Sequence, residues 1–342
     1  MSKGQSINAC IKDIEYYLPE YVLSNDELEK IYDNWSAEKI HLKTGIKNRH
    51  IADSNETALD LAEKVALKLF QKNKDLSDKI DFIVLCTQSP DYFLPTSACI
   101  LQERLKLSTN CGAFDFNLGC SGFVYGLAIA KGLILSGCSS NTLLIMADTY
   151  SKFIHPFDKS TRTIFGDGAA AVWVGRSEGT ESLLEFVFGT DGAGANNFIV
   201  PAGGMRCPHT ENTSLEITDL QGNKRSKNNM YMNGTEIANF MMKTVPELVE
   251  DSLNKNNLKK EEIDYFIFHQ ANKYILEKLR EKIKIPEDKF HINMENIGNT
   301  VSSTIPIALA SALEKNTIIK NYTVMLVGFG VGYSWASCVI KW

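Results

Sequence analysis

The strongest constraint on the fold is an internal repeat in the order of the predicted strands and helices. In each half an amphipathic helix and a polar link are followed by an apolar strand, at residues 80–87 in the first half and at residues 263–270 in the second. A helix, a second strand (in the second half at residues 290–293), a turn, another helix and two closing strands follow in each half. We therefore predict an α/β protein built from two duplicated halves, residues 1–178 and residues 179–342.

Alternating strands and helices favour parallel-rich sheets joined by right-handed crossovers. Two such halves, related by pseudo-twofold symmetry, would stack into five layers in the order α-β-α-β-α. The alternative is a chance similarity of two αβ segments, which the matching order of four consecutive elements disfavours. Residues 189–204 are rich in glycine and irregular, and we expect this link to run near the functional site.

Composition and charge exclude several classes of function. The net charge of −5 and the lack of a basic run disfavour nucleic-acid binding. No apolar run approaches the roughly 18–20 residues of a membrane span, and the start MSKGQSINACIKD lacks the apolar core of a signal peptide. The eight cysteines form no Cys-x-x-Cys pair, and the six histidines lack metal-ligand spacing. We expect a cytoplasmic protein without a membrane or metal site.

Cys120 lies at the junction between a predicted strand and a predicted helix. The stretch AFDFNLGCSGF opens with the apolar strand 113–116, continues through a turn, and after Cys120 shows the spacing of a helix. Free N–H groups and the helix dipole at such a junction favour an anion, so we expect the thiol to be biased towards thiolate. The alternative is a buried structural cysteine, the commoner role of a free cysteine.

The repeat relates two further polar residues to Cys120. Asn299 occupies the same strand-to-helix position in the second half, and His269 follows the strand that mirrors residues 80–87. Because strand ends of the two halves would meet, the three side chains are expected to converge. A cysteine with a histidine and an asparagine is typical of nucleophilic acyl transfer. The alternatives are a buried, hydrogen-bonded histidine and an asparagine that serves only a turn or a helix cap.

Six sequence blocks resemble those of one enzyme family. AFDFNLGCSGF, FHQAN and NIGNTVSSTIP resemble the three signature blocks of beta-ketoacyl-acyl-carrier-protein synthase III, in the thiolase superfamily, and TGIKNRHIA, FGDGAAA and GVGYSWAS are similar to further family blocks. They follow in order from residue 44 to residue 337. The resemblance implies a thiolase-like five-layered sandwich, a homodimer, and chemistry that needs no metal or organic cofactor.

The resemblance also implies a two-stage Claisen condensation. Cys120 would take the acyl group from an acyl-coenzyme A, and a malonyl thioester on acyl carrier protein would then lose carbon dioxide. His269 and Asn299 would hydrogen-bond the malonyl thioester oxygen and stabilise the enolate. The backbone N–H groups of Cys120 and Val331 match the family's oxyanion hole. Leu94, contributed across the dimer interface, and Met232 match positions of its acyl pocket, although both residue types are also ordinary core residues.

The chain departs from the family pattern where coenzyme A and the carrier protein bind. Lys39 stands where the family has a tryptophan, and Lys159, with Arg162 nearby, stands where it has an arginine. Lys273 is a further candidate for binding the carrier. These departures leave two pathways open, fatty-acid biosynthesis and a specialised route to an acyl group for a surface glycan or secondary metabolite.

Three other functions remain as alternatives. Acyl transfer to a hydroxyl or amine would use His269 as a base and release no carbon dioxide. A 3-hydroxy-3-methylglutaryl-type synthase would need a glutamate for proton abstraction, and none can be assigned. A non-catalytic scaffold subunit of a synthase would have no need of Cys120, His269 and Asn299 together, so we favour an enzyme.

Overall fold

The computed structural model describes residues 7–179 and 182–342. The first of these ranges alternates between strands and helices. Its strands are β1 (Ile7–Tyr17), β2 (Tyr21–Ser24), β3 (Asn48–Ile51), β4 (Phe82–Cys86), β5 (Gly112–Phe116), β6 (Asn141–Asp148) and β7 (Gly168–Glu178). Its α-helices are α1 (Asn25–Glu29), α2 (Ala37–Thr44), α3 (Ala58–Lys72), α4 (Ser97–Arg104), α5 (Gly122–Leu135) and α6 (Lys159–Arg162).

The second range has a similar alternation, with short additional strands before its first long helix. Its strands are β8 (Leu183–Thr190), β9 (Phe198–Ile199), β10 (Ile217–Thr218), β11 (Lys224–Arg225), β12 (Tyr231–Met232), β13 (Tyr265–Phe268), β14 (Thr323–Gly330) and β15 (Ser334–Lys341). Its α-helices are α7 (Gly234–Lys255), α8 (Lys273–Ile283) and α9 (Thr304–Glu314). Among the described residues, no helix is both long and apolar enough to cross a membrane.

The two main sheets have matching strand orders, which confirms the repeat. The first sheet runs β1-β7-β6-β4-β5 and the second runs β8-β15-β14-β13. In the first, β4 pairs in parallel with β5 and β6, whereas β7 pairs antiparallel with β6 and β1. In the second, β13 pairs in parallel with β14, and β15 pairs antiparallel with β14 and β8. Strands β4, β6, β7 and β1 therefore correspond to β13, β14, β15 and β8.

The prediction of a strand at residues 290–293 is wrong. Only its first residue pairs, in one parallel bridge with Phe266, at the position that β5 fills in the first sheet. The side chain of Gln270 forms hydrogen bonds with backbone groups of the following residues. Its Nε2 donates to the carbonyl of His291 at 3.2 Å, and its Oε1 accepts from the amide of Asn293 at 2.7 Å. These side-chain bonds replace a strand ladder.

The helices and sheets form the five layers expected. Helices α3 and α4 cover the outer face of the first sheet, α5 and α9 contact both sheets, and α7 and α8 pack on the outer face of the second. The middle layer is apolar on both of its faces. Phe123 and Leu127 on α5, and Ile305 and Leu309 on α9, are fully buried. The thiolase-like α-β-α-β-α fold is therefore confirmed.

The proposed division at residues 178 and 179 falls between the sheets. Strand β7 ends at Glu178 and belongs to the first sheet, and β8, which starts at Leu183, belongs to the second. The two sheets share the core layer formed by α5 and α9. The division into two domains stays a prediction.

Candidate active site

Cys120, His269 and Asn299 line one cavity of about 290 Å³. Each is 2–3% exposed. Cys120 lies between β5 and α5, His269 directly follows β13, and Asn299 lies in the turn before α9. The structure thus brings the three predicted catalytic residues together from both halves, and their roles stay predictions.

Glycines of β14 allow the second half to pack directly against the segment that holds Cys120. A Cβ atom at Gly330 would lie 2.7 Å from both Cβ and Sγ of Cys120. A Cβ atom at Gly328 would lie 2.8 Å from Cα of Ser121. The hydroxyl groups of Ser121 and Ser334 are 2.7 Å apart and join the same two segments. Cys120 is therefore held by strands β14 and β15 as well as by its own half.

Two backbone N–H groups converge on the Cys120 thiol. The amides of Val331 and of Cys120 itself hydrogen-bond to the sulfur and act to lower its pKa. Amides beside a thiol can donate to the oxyanion that forms when a thiol attacks a thioester. They therefore fit the oxyanion hole that the family resemblance implies.

The expectation of a thiolate-biased Cys120 is wrong for the free protein. Burial, and after it the nearby Asp148 carboxylate, raise the pKa of this thiol to about 12, and the two amides offset only part of that rise. Asp148 is fully buried, and burial raises its own pKa to about 7. It accepts hydrogen bonds from the Gln88 amide at 2.8 Å and from the Ser302 hydroxyl. The lowering of the thiol pKa that a position before a helix would give is thus outweighed by burial away from water and by a neighbouring carboxylate.

We expect alkylation of Cys120 by iodoacetamide to accelerate with every unit of pH up to at least pH 9. A thiol with a pKa of about 12 is ionised in only ~1 molecule in 10,000 at pH 8. Peptide mapping by mass spectrometry measures this rate, with the exposed Cys99 and Cys138 as internal references. Asp148→Asn should be alkylated faster than the wild type at pH 9, because it removes the charge that raises the thiol pKa. A plateau in the rate below pH 8 would contradict this account.

His269 is neutral and held by a hydroxyl. Burial lowers its pKa to about 3. Its Nδ1 lies 2.7 Å from Oγ1 of Thr304, and that hydroxyl also lies 3.0 Å from the carbonyl of Val301. Thr304 has one proton, which it can donate either to the carbonyl of Val301 or to Nδ1 of His269. The hydrogen of neutral His269 is on Nδ1 in the first case and on Nε2 in the second. Nε2 faces Nδ2 of Asn299 at 3.5 Å.

The turn before α9 aims the amide of Asn299 at the cavity. Its Oδ1 accepts from the amide of Val301 at 2.9 Å, which fixes which end of the side chain is the donor. Its Nδ2 makes only long contacts, at 3.4 Å to the carbonyl of Ala271 and 3.5 Å to His269. The Asn299 N–H groups are therefore available to a substrate oxygen.

Thr304→Val should slow decarboxylation of a malonyl thioester by about 10-fold to 100-fold, because His269 loses the partner that fixes its ring and tautomer. Thr304→Ser keeps the hydroxyl and should retain most of the rate. Carbon dioxide release from labelled malonyl thioester measures both variants. Equal rates for Thr304→Val and Thr304→Ser would show that the hydroxyl does not act on His269.

The rest of the cavity is apolar inside and polar at a few positions. Its apolar wall includes Phe165, Phe198 and Met232, so the structure places Met232 in the cavity that contains Cys120. The polar positions include Lys43 and Ser160, neither of which the sequence analysis identified. The sequence could have indicated both residues, because each is next to a feature that the sequence analysis singled out. Lys43 directly precedes the block TGIKNRHIA, and Ser160 directly follows Lys159.

None of the four positions predicted to bind coenzyme A or the carrier protein is among the residues that line this cavity. These positions are Lys39, Lys159, Arg162 and Lys273. The Lys39 ammonium lies 5.5 Å from the ring centre of Trp35, and Lys159 donates to the carbonyl of Gln221 at 2.5 Å. Lys273 is exposed and lies beside the cavity residue Tyr274. Their binding roles stay predictions.

Leu94 lies at the surface of the single chain. Its side chain is 82% exposed, next to Tyr92 and Phe93, which are 60% and 74% exposed. Three consecutive exposed apolar residues are unusual on a free surface and are typical of a contact with another protein. Its predicted position in the acyl pocket of a partner subunit stays a prediction.

Comparison with known proteins points to one family. Residues 114–192 match the model of 3-oxoacyl-[acyl-carrier-protein (ACP)] synthase III, and residues 253–342 match the model of its C-terminal region. A beta-ketoacyl-[acyl-carrier-protein] synthase III of Caldanaerobacter subterraneus is 38% identical over 338 residues and covers 99% of this chain and 99% of its own. Another, of Fusobacterium nucleatum, is 37% identical, covering 97% of this chain and 98% of its own.

Solved structures agree with these relatives. A crystal structure of a 3-oxoacyl-(acyl-carrier-protein) synthase III superposes with a TM-score of 0.97 at 51% identity, covering 98% of this chain and 100% of that chain. A 3-oxoacyl-(acyl-carrier protein) synthase from Burkholderia xenovorans has a TM-score of 0.90 at 34% identity, covering 98% and 94%. With its full-length relatives, shared fold and a cysteine, histidine and asparagine in one cavity, the chain belongs to the beta-ketoacyl-[acyl-carrier-protein] synthase III family of condensing enzymes.

Proposed function

We propose that this protein condenses an acyl group from acyl-coenzyme A with malonyl-acyl carrier protein in fatty-acid biosynthesis. In the first stage the sulfur of Cys120 bonds to the acyl carbon, and coenzyme A leaves with the thiol proton. In the second stage the malonyl thioester loses carbon dioxide, and the electron pair of the broken bond forms an enolate. The enolate carbon attacks the acyl carbon, and the bond to Cys120 breaks to give a 3-oxoacyl thioester. The electron pair of that bond stays on the Cys120 sulfur, which takes a proton from water to become a thiol again.

The observation that carries this proposal is the arrangement of uncharged donors around one buried thiol. His269 stays neutral because burial lowers its pKa to about 3, and Asn299 has no charge at any pH. Neutral N–H donors stabilise an enolate oxygen without protonating the carbon that must attack. Before donation, the His269 proton has to be on Nε2, which requires Thr304 to donate to Nδ1. The amides of Cys120 and Val331 would stabilise the second oxyanion, on the acyl group.

The surface of the chain supports a homodimer. The sheet edge β5 has five half-buried residues, and the exposed apolar residues Tyr92, Phe93 and Leu94 lie in the segment that leads into α4. A second copy of the chain that covers this edge would bury both features. In this proposal Leu94 enters the acyl pocket of the partner subunit. All eight cysteines lie among the described residues and are free, which supports a location in the cytoplasm.

The decisive experiment measures carbon dioxide and product together. The protein is incubated with an acyl-coenzyme A and malonyl-acyl carrier protein labelled in the free carboxyl group. We expect one carbon dioxide for each 3-oxoacyl thioester formed, with release that depends on the acyl donor. Acyl transfer to a hydroxyl or amine consumes the donor without any carbon dioxide. An ester or amide product without carbon dioxide would therefore overturn the condensing reaction.

A further inference from the structure

A second cavity, of about 360 Å³, adjoins the Cys120 segment. Phe198 lines both cavities. Val331, whose amide bonds to the Cys120 sulfur, lines the second one. A Cβ atom at Gly119 would lie 2.6 Å from Oε1 of Gln88 and 2.6 Å from Cγ1 of Val331, so this glycine lets both side chains pack against the backbone beside Cys120. A thioester has two arms on either side of its carbonyl group, the acyl chain and the thiol-bearing carrier such as coenzyme A. Each of the two cavities offers space for one of these arms.

The two cavities differ in charge. The cavity that holds His269 and Asn299 includes the ammonium-bearing Lys43, which suits the phosphate-bearing coenzyme A arm. The lining of the second cavity contains no charged side chain among the described residues. The second cavity therefore suits the acyl arm, and it disfavours an acyl group that ends in a carboxylate or an ammonium.

One wall of the second cavity is a chain of hydrogen-bonding side chains. The hydroxyl of Tyr150 donates to Oε1 of Gln88, and Nε2 of Gln88 donates to Oδ1 of Asn117 at 2.8 Å. Tyr150 is 4% exposed. Within the described parts of the chain, no partner is found for the second N–H of Gln88 or for either N–H of Asn117. These donors face a cavity whose other wall is apolar, formed by residues such as Phe153 and Met230.

The position of this wall is typical of a ligand site. Asn117 directly follows β5, and Gln88 and Tyr150 each lie two residues after the end of β4 and β6. Strand β4 pairs in parallel with both β5 and β6, so the three strands end on the same side of the sheet. Ligands in α/β proteins bind at the carboxyl ends of such strands. A wall that served only the packing of the core would be apolar, as the opposite wall is.

We propose that the acyl donor is a short acyl chain with a neutral hydrogen-bonding substituent, a hydroxyl or a carbonyl, that is bound by Gln88, Asn117 and Tyr150. This inference rests on the proposed function, because it assigns the acyl group that Cys120 carries. The free N–H groups donate to the substituent oxygen, and the apolar wall contacts the carbon chain. An acyl chain without the oxygen displaces water from these N–H groups and offers them no acceptor, so it is discriminated against.

The test compares acylation of Cys120 by butyryl-, 3-hydroxybutyryl-, 4-hydroxybutyryl- and 3-oxobutyryl-coenzyme A, followed by intact-protein mass spectrometry. We expect at least one oxygenated donor to exceed butyryl-coenzyme A by about tenfold or more in kcat/KM for acylation. Asn117→Leu and Tyr150→Phe should reduce that preference to about twofold or less by slowing only the oxygenated donor. Val200→Ala, a change in the apolar wall of the same cavity, should change both kinds of donor alike.

Two outcomes would overturn the proposal in distinguishable ways. If butyryl-coenzyme A acylates Cys120 as well as every oxygenated donor, the substrate class is wrong and the condensing function stands. If no donor acylates Cys120 in a protein that unfolds cooperatively, both the function and its substrate class are wrong. Asn117 is exposed in the single chain, so its variant keeps the test available should Tyr150→Phe fail to fold.

Discussion

Cys120→Ala is expected to gain no mass from an acyl-coenzyme A that adds one acyl group to each wild-type chain. In the proposed first stage the Cys120 sulfur is the atom that bonds to the acyl carbon, and the proposed oxyanion donors that remain cannot replace it. We expect the rate of acyl transfer to fall by at least about 10⁴-fold. Intact-protein mass spectrometry measures the label directly.

Matched cysteine variants make this result specific. Cys138 is exposed and lies outside the cavity, so Cys138→Ala should be acylated like the wild type. The thermal midpoint of Cys120→Ala should stay close to that of the wild type, because the change removes a single sulfur atom. Label that persists in Cys120→Ala would place the nucleophile elsewhere, and it would overturn the proposed first stage.

His269→Ala and Asn299→Ala are expected to keep the acylation of Cys120 and to lose decarboxylation. Each variant removes one of the two proposed donors to the enolate oxygen, which should cost about 10²–10³-fold in rate, or about 2.7–4 kcal/mol. Single-turnover acylation by mass spectrometry and carbon dioxide release from malonyl-acyl carrier protein separate the two stages. Because burial lowers the pKa of His269 to about 3, its protonation should leave no inflection in the decarboxylation rate above pH 5.

A size-matched variant sharpens the role of Asn299. Asn299→Asp keeps the volume but replaces the N–H donor with an oxygen, and its charge would repel the enolate. It should therefore decarboxylate more slowly than Asn299→Ala. If His269→Ala loses acylation as severely as decarboxylation, His269 acts as the base for Cys120 instead of an enolate donor, and the role assigned to it is wrong.

The repeat in the sequence predicted the architecture well, because strand and helix periodicity is a local property. It placed Cys120 and Asn299 at equivalent junctions, and both side chains do reach one cavity. The predicted strand at residues 290–293 failed because a side chain from another segment, Gln270, takes its backbone bonds. Such competition arises only after the chain has folded.

The electrostatics of the site could not be predicted from local pattern. Position before a helix suggested a thiolate, but the pKa of Cys120 depends on burial and on Asp148, which lies at the end of a different strand. The sequence could have indicated the polar wall of the second cavity, since Gln88, Asn117 and Tyr150 each follow a predicted strand. Recognising it required the order of β4, β5 and β6 in the sheet.

The close approach of β14 to the Cys120 segment makes the catalytic unit indivisible. No methyl group fits between Gly330 and Cys120, and the Val331 amide that bonds to the thiol belongs to the other half of the chain. A cut between the halves would leave Cys120 on one fragment and the two proposed enolate donors, His269 and Asn299, on the other. With the proposed roles, the duplicated halves are specialised parts of a single catalyst, and we expect neither half on its own to perform a reduced version of the reaction.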